Sequence, residues 1–405
     1  MKYMEKTKIL ILNSDTDGVG YWRLLAPHLT MNDQFKDIQC DVRLIMDHTL
    51  PLMDVNFLKQ YNIIIYNKIL PIKQEFLEQF YNTLKQMNIK LIYDVDDYWI
   101  LDNTHLNYKQ WKSQNSHLVV ENCIKNADAI FTTTPLFADK IKTLNPNVYV
   151  VENAVNLKEM QWTSNKEKSN KVRFIWGGGI SHMVDLKLLK EEFKKFDNDF
   201  LNKSQLYLCG FDLRIRLPDG RNVKDEPRKS QWGHFEDIFT NNYKYIKDSK
   251  HMEYLFSGDD VNYGIKNEFK NEFYQRRWTK EIVLYGTMYN EADVSIAPLK
   301  GENHQFNYHK SQLKLIEAGA HHMPLICSNY GPYTVDDVEG KKDGIQKGLL
   351  VDENKNDWYE KMKFYVKNPS AVKEHGEANF EYIKSKFDIR VVNKKRYDIY
   401  KILSK

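Results

Sequence analysis

FNYHKSQLKLIEAGAHHMPLICSNYGPY, Phe306 to Tyr333, is the stretch on which the reading of this chain turns. It divides into a polar loop, an amphipathic helix with one acidic residue (Glu317), a short apolar strand and a Gly-Pro turn. Lys310, Lys314 and Glu317 fall three or four residues apart, so they can share or flank one helical face. Leu313, Leu315, Ile316, Ala318 and Ala320 fill the core side. Lysines in the first turn and a carboxylate further on suit a nucleotide diphosphate: cations for the phosphates, the carboxylate for ribose hydroxyls. The same spacing also describes a plain core helix with solvated lysines, and the rest of the chain has to decide.

A second phosphate-like element lies upstream. Val172 to Trp176 is a buried-strand run followed by Gly177, Gly178 and Gly179, after which Ser181 or His182 caps a helix with apolar Met183, Leu186 and Leu189. A strand, a glycine turn and a helix N-terminus place unpaired N–H groups where an anion can come close. A third element is the strand Lys8 to Leu12, which runs into Asp17-Gly18-Val19-Gly20-Tyr21-Trp22-Arg23. Arg23 stands where a dinucleotide fingerprint needs its third glycine, which argues against a Rossmann dehydrogenase.

Together these pieces resemble the GT-B glycosyltransferases, specifically the nucleotide-sugar group around family 4 and its phage and surface-polysaccharide relatives. The resembling segments are DGVGYWR (17–23), LIYDVDDYW (91–99), ADAIFTTTPLFA (127–138), VVENAVNL (150–157), RFIWGGGISHMVDL (173–186), YNEADVSIAPL (289–299) and FNYHKSQLKLIEAGA (306–320). The resemblance implies an α/β protein of two Rossmann-like doubly wound domains facing an interdomain cleft, with a UDP- or GDP-sugar as co-substrate and no cofactor or metal. It implies that Gly177 to Gly179 face the donor diphosphate, that Lys310 and Ser311 lie near it, and that Glu317 binds the donor ribose. Gly18, Gly20, Arg23, His182, Arg277 and Lys314 join this donor set. The chain departs from the family at one place: eight positions before Glu317, where the family carries a first glutamate, stands His309.

Composition agrees. A chain of 405 residues suits two core-forming domains, and 42% hydrophobic with 13% aromatic residues argues against disorder. A net charge of +4 gives no general affinity for polyanions. Cys40, Cys123, Cys209 and Cys327 are widely spaced without metal-site pattern and read as buried thiols of a reducing compartment. With no leader segment or membrane-length apolar run, the expectation is a cytoplasmic protein, in host cytoplasm if phage-encoded.

Parallel strands are expected near 8–12, 41–46, 62–66, 89–94, 129–133 and 147–151, then near 172–176, 205–209, 293–297, 324–328 and 348–351. The expected domains are 1–160 for the acceptor and 171–385 for the donor nucleotide, joined by a polar linker. A terminal helix, 386–405, crosses back to the first domain. An insertion at 210–275 interleaves Arg214, Arg216, Arg221, Lys224, Arg228 and Lys229 with Trp232, Tyr243, Tyr245 and Tyr254, alongside acidic residues from Asp219 to Asp260.

Asp94, Asp96 and Asp97 offer a general base or an acceptor-binding carboxylate, since clustered like charges raise one pKa toward the working range; they also suit a strand-end turn. Arg276, Arg277 and Lys310 offer charge stabilisation for a departing diphosphate, arginine through its bidentate fork. His182 suits either the donor or a helix cap, His321 and His322 read as structural, and Trp22, Trp99 and Trp111 suit core packing or stacking on a ligand. The resemblance implies hexosyl or pentosyl transfer with retention, to a saccharide, a lipid-linked glycan or a hydroxymethylated DNA base; the insertion has a composition able to meet phosphates and stack on bases, and its acidic residues and the small net charge count against DNA. Competing classes are a sugar-nucleotide epimerase, a non-catalytic nucleotide-sugar binder and a DNA-binding protein.

Overall fold

The computed structural model describes residues 6–45, 50–212, 214–216, 222–224, 231–240, 273–301 and 303–405. Of the insertion, Arg221, Arg228, Lys229, Tyr243, Tyr245 and Tyr254 lie outside the described residues, as do Asp219, Asp225, Glu226, Asp259 and Asp260.

Contacts divide the chain into two units. The first comprises Met1–Leu157, His304–Leu313 and Ile383–Lys405; the second comprises Lys158–Asn303 and Lys314–Tyr382. Each is built on a parallel sheet of six strands; the alternation of apolar runs with helical segments predicts all six in the first and five of the six in the second.

In the first unit the strands are β1 (Thr7–Asn13), β2 (Ile38–Leu44), β3 (Ile63–Asn67), β4 (Lys90–Asp94), β5 (Ala129–Thr132) and β6 (Val148–Val150), in the order β2-β1-β3-β4-β5-β6. Covered on both faces, their central strands read as unbroken apolar runs such as Ile63-Ile64-Ile65-Tyr66, all fully buried. One face packs Ile9, Ile11, Leu24, Met31 and Phe131 against Ile389, Val392, Ile399 and Tyr400 of the helix Ile389–Leu403. That helix starts where the Asp388 side chain accepts a hydrogen bond from Arg390 N at 2.9 Å.

The helix after β1 carries an irregularity beside Pro27. Gly18–Gly20 is α-helical, Tyr21–Leu25 is π-helical, and Ala26–Gln34 is α-helical again. Pro27 has no N–H to give the carbonyl of Arg23 four residues back, and the widened turn, with Ala26 N–H bonded to Tyr21 O, accommodates the loss.

In the second unit the strands are β7 (Val172–Gly177), β8 (Ser204–Phe211), a small antiparallel pair β9 (Arg214–Arg216) and β10 (Asn222–Lys224), then β11 (Tyr274–Trp278), β12 (Val294–Ala297), β13 (Leu325–Ser328) and β14 (Gly348–Val351). The main sheet runs β11-β8-β7-β12-β13-β14. Strand order reverses between β7 and β12, and the carboxyl ends beside such a switch point are where open α/β sheets take ligands. Phe174, Trp176, Leu206, Leu208, Ile296 and Ile326 face one core and Ile175, Tyr207, Cys209 and Met288 the other. All four cysteines are buried and none forms a disulfide. No helix among the described residues is long and apolar enough to cross a membrane.

Candidate functional site

At the carboxyl end of β7 the chain turns through Gly177, Gly178 and Gly179 into a single turn, Ile180–His182, and then the short helix Met183–Leu186. A Cβ on Gly177 would stand 2.6 Å from Met288 Cε and 3.7 Å from the Tyr289 hydroxyl, so this loop lies directly on the helical turn Tyr285–Glu291. Gly178 N donates to Cys209 O at 3.4 Å, and a Cβ on Gly179 would meet nothing within 4 Å. Behind the loop, Gly210 has a φ of +101°, and a Cβ there would sit 2.5 Å from Gly178 O, so only glycine fits.

His182 closes the loop: its Nδ1 lies 2.8 Å from Asp185 Oδ2, and Asp185 Oδ1 accepts from Lys300 N at 2.8 Å. Asp185, 3% exposed, thereby ties the loop after β7 to the chain leaving β12, across the switch point. Trp176 stands edge-on to His182 with centroids 6.2 Å apart.

Glu317 lies on the helix Leu313–Ala320 and is 1% exposed. Its Oε2 accepts from the Tyr289 hydroxyl at 2.6 Å, from Lys314 Nζ at 2.7 Å and, more distantly, from the Tyr285 hydroxyl at 3.5 Å. Lys314 Nζ also donates to the Tyr285 hydroxyl at 2.7 Å. Burial works against charge on Lys314, but Glu317 outweighs it and the ammonium pKa is raised. Burial, reinforced by Glu317, pushes the Tyr285 phenol up to about 12. His321 stacks on Tyr289 at 5.6 Å from the far side. Tyr285, Tyr289 and Asp185 were not singled out by sequence reasoning. The aromatic pair, four residues apart on one turn, was the available signal.

The lysine–glutamate spacing does not hold as one helical face. The helix begins at Leu313, and Lys310 precedes it, in the segment packed with the first unit. There Lys310 Nζ lies 5.2 Å from the Phe306 ring centroid, and Ser311 Oγ accepts from Asn153 Nδ2 at 2.9 Å. His309, in the position of the missing glutamate, is 4% exposed, packs on Tyr98 (4.8 Å) and Phe137 (5.6 Å), and pairs through Nδ1 with Gln305 O at 2.8 Å. Burial lowers its pKa, so the ring is a neutral core element of the first unit.

Arg276 and Arg277 form part of the edge strand β11, which the sequence reading did not anticipate. As neighbours in an extended strand they leave on opposite faces and do not make one clamp. Arg276 lies 4.2 Å from the Phe211 ring centroid and 5.2 Å from that of Trp278. Arg277 lies 5.0 Å from that of Tyr207 and is ion-paired with Glu291 at 2.6 Å.

In the first unit Arg23 donates Nε to Asp94 Oδ1 at 2.8 Å and Nη2 to Asp94 Oδ2 at 3.0 Å, while Nη1 reaches Val151 O at 2.6 Å and Asn153 Oδ1 at 3.1 Å. Burial disfavours this cation, but Asp94 more than compensates and raises its pKa. Asp97 is exposed and Asp96 half-buried. Burial, then Asp97 and Asp94, push the Asp96 carboxyl well above the usual carboxylate range against the opposing pull of Arg23. Gly18 opens the helix after β1 with a φ of +39°, and Gly20 N donates to Asp15 Oδ1 at 3.1 Å. This glycine turn is thus capped by the chain's own carboxylate, itself ion-paired with Lys68. Trp99 and Trp111 are joined by the Trp111 Nε1 bond to Trp99 O at 2.8 Å, and Trp22 is buried edge-on to Tyr21. Among the described residues no group of three or more His, Cys, Asp or Glu is arranged to hold a metal ion.

No family model matches the chain, and no curated protein matches it in sequence. Solved structures do. A sucrose-phosphate synthase from Thermosynechococcus elongatus superposes with a TM-score of 0.64 at 12% identity, over 98% of this chain and 99% of that one. A glycosyltransferase from Rickettsia africae gives 0.59 at 14% identity over the whole of both chains. Anabaena HepE in complex with UDP and glucose gives 0.61 at 10% identity, over 98% of this chain and all of that one. These likenesses, spanning both six-stranded parallel sheets, show that the chain has the GT-B fold.

Proposed function

We propose that the chain is a glycosyltransferase that moves a sugar from a nucleotide-diphosphate sugar, UDP- or GDP-linked, to an acceptor hydroxyl. The observation that carries this reading is the Tyr289 hydroxyl. It bonds to Glu317 at 2.6 Å and lies 3.7 Å from the Cβ position of Gly177, so a carboxylate for ribose and a glycine loop for phosphate meet through one side chain at the switch point. The GT-B fold supports the same reading, and HepE, which shares it, has been solved with UDP-glucose.

In this scheme the second unit holds the donor. Glu317 accepts hydrogen bonds from the ribose, and the amides of Gly177 to Gly179, with His182, offset charge on the diphosphate as it leaves. Of the three aspartates at the end of β4, Asp94 is committed to Arg23, which leaves Asp96 as the carboxylate for proton transfer at the acceptor. Transfer proceeds with retention and without a metal ion, to a saccharide or lipid-linked glycan.

The test is direct. The full chain is incubated with radiolabelled UDP- and GDP-sugars and three acceptor pools: oligosaccharides, lipid-linked glycans and DNA with hydroxymethylated bases. Label in either glycan pool supports the proposal. Label confined to DNA would move the acceptor to nucleic acid, and nucleotide binding without transfer to any pool would leave a binding protein.

A further inference from the structure

Glu317 is saturated on one side only. Tyr289 and Lys314 both bond to Oε2, with Tyr285 beyond them, and among the described residues no donor reaches Oε1. Lys314 divides its ammonium between Glu317 and the Tyr285 hydroxyl, both at 2.7 Å, and its Nζ lies 5.3 Å from the Tyr285 ring centroid. With two of three N–H donors turned inward, it is poorly placed to meet phosphate. The Lys314 side chain is 20% exposed where that of Glu317 is 1%, so lysine and Tyr285 form the outer rim and the carboxylate the floor. Tyr289 is itself fixed, between the stacked ring of His321 and the Gly177 turn.

We propose that Lys314 and Tyr289 are positioning residues that occupy Glu317 Oε2 and leave Oε1 alone to the ligand, making this site selective for a neutral vicinal diol, the ribose of a nucleoside diphosphate, over its deoxy forms. The inference rests on the donor-site reading above. A carboxylate offers about four lone-pair sites, two on each oxygen. With Oε2 taken, Oε1 has two acceptor directions, the number that a cis-diol fills. Lys314 already neutralises the carboxylate, so a cationic ligand gains little, and a phosphate brought against Oε1 is repelled. Without Lys314 or Tyr289, Oε2 regains open acceptor directions and the diol is no longer confined to Oε1.

The experiment measures the affinity of the full chain for UDP, GDP and their 2′-deoxy and 3′-deoxy counterparts by calorimetry. It compares the wild type with Lys314→Met and Tyr289→Phe. The wild type is expected to prefer the ribonucleotide by about tenfold or more. In Lys314→Met that preference should fall several-fold. In Tyr289→Phe it should fall likewise, with the thermal midpoint little changed. A purely structural role would weaken all nucleotides alike and leave the ratio unmoved. If Lys314→Met does not fold, Tyr289→Phe decides. Wild-type ratios in the variants, or equal wild-type binding of ribo and deoxy forms, overturn this inference while the donor reading stands. A wild type that binds none of the nucleotides removes both.

Discussion

Arg23 holds Asp94 through two parallel hydrogen bonds, 2.8 and 3.0 Å long, and neither side chain has more than 1% of its surface in solvent. The pair joins the π-helical turn to the carboxyl end of β4, and Arg23 continues to Val151 O and Asn153 beyond β6. Asp94 is the most sequestered of the three neighbouring aspartates, and its partner is a residue that reads in the sequence as part of a phosphate loop.

Breaking this pair should be costly and replacing it whole should not. Arg23→Ala or Asp94→Asn is expected to lower stability by roughly 3–5 kcal/mol, because each leaves a buried polar partner uncompensated. The double change Arg23→Met with Asp94→Leu should recover most of that loss. Urea unfolding curves of the three variants test this, and a double variant no better than the singles would contradict it.

Asp96→Asn should leave nucleotide binding intact and reduce transfer by roughly 10²–10⁴-fold. Asp97→Asn should do little beyond easing the electrostatic load on its neighbour. As the proposed base Asp96 acts ionised, and with its pKa raised by burial and the adjacent carboxylates, wild-type activity should rise with pH through that raised value. In Asp97→Asn the rise should shift to lower pH. Unchanged turnover in Asp96→Asn would return all three aspartates to structure.

His28 should make the first unit acid-sensitive. Its Nδ1 lies 2.6 Å from Leu24 O and its Nε2 2.7 Å from the Tyr400 hydroxyl, a geometry met by the neutral ring donating from Nδ1 and accepting at Nε2. Burial, then Arg396, lowers its pKa to about 3. An unfolded histidine titrates near pH 6.5, so between about 6.5 and about 3 the unfolded chain binds the extra proton. Stability then falls with falling pH, by at most about 1.4 kcal/mol per pH unit. His28→Gln, which does not titrate, should flatten that slope. Equal acid sensitivity in the variant would show that other groups carry it.

Gly210→Ala should injure the glycine loop without touching it chemically. The residue needs a positive φ, and its new methyl group would lie 2.5 Å from Gly178 O. A cost of about 1–3 kcal/mol is expected, together with weaker UDP or GDP binding as Gly178 is pushed out of place. Calorimetry beside a thermal melt separates the two, and a variant with lower stability but wild-type affinity would detach Gly210 from the site.

Much of the architecture was legible in local pattern. Ile63 to Tyr66, Val172 to Trp176 and Leu325 to Cys327 read as strands because a strand covered on both faces must be apolar throughout. The helix carrying Glu317 was visible from its apolar spacing, and the seven segments in family order pointed to the GT-B fold that the solved structures bear out. β11 was not legible. Gln275, Arg276 and Arg277 look solvated, and they are buried only because Phe211, Tyr207 and Glu291 come to them from other elements.

The candidate site divides in the same way. The residue types were there to be read: glycines after β7, a glutamate on an amphipathic helix, a run of aspartates after β4. Their employment was not, because it depends on partners far along the chain. Asp94 meets Arg23 across 71 positions, and Glu317 meets Tyr289 across 28. Lys310 and Lys314 are four residues apart and looked equivalent. A helix start at Leu313 and the packing of His304–Leu313 with the first unit separate them. Periodicity and glycine content are properties of neighbouring residues, so the chain alone determined strands, helices and fold class. Which carboxylate is sequestered, which is poised and which lysine turns inward are long-range electrostatic outcomes, and those only the tertiary structure decided.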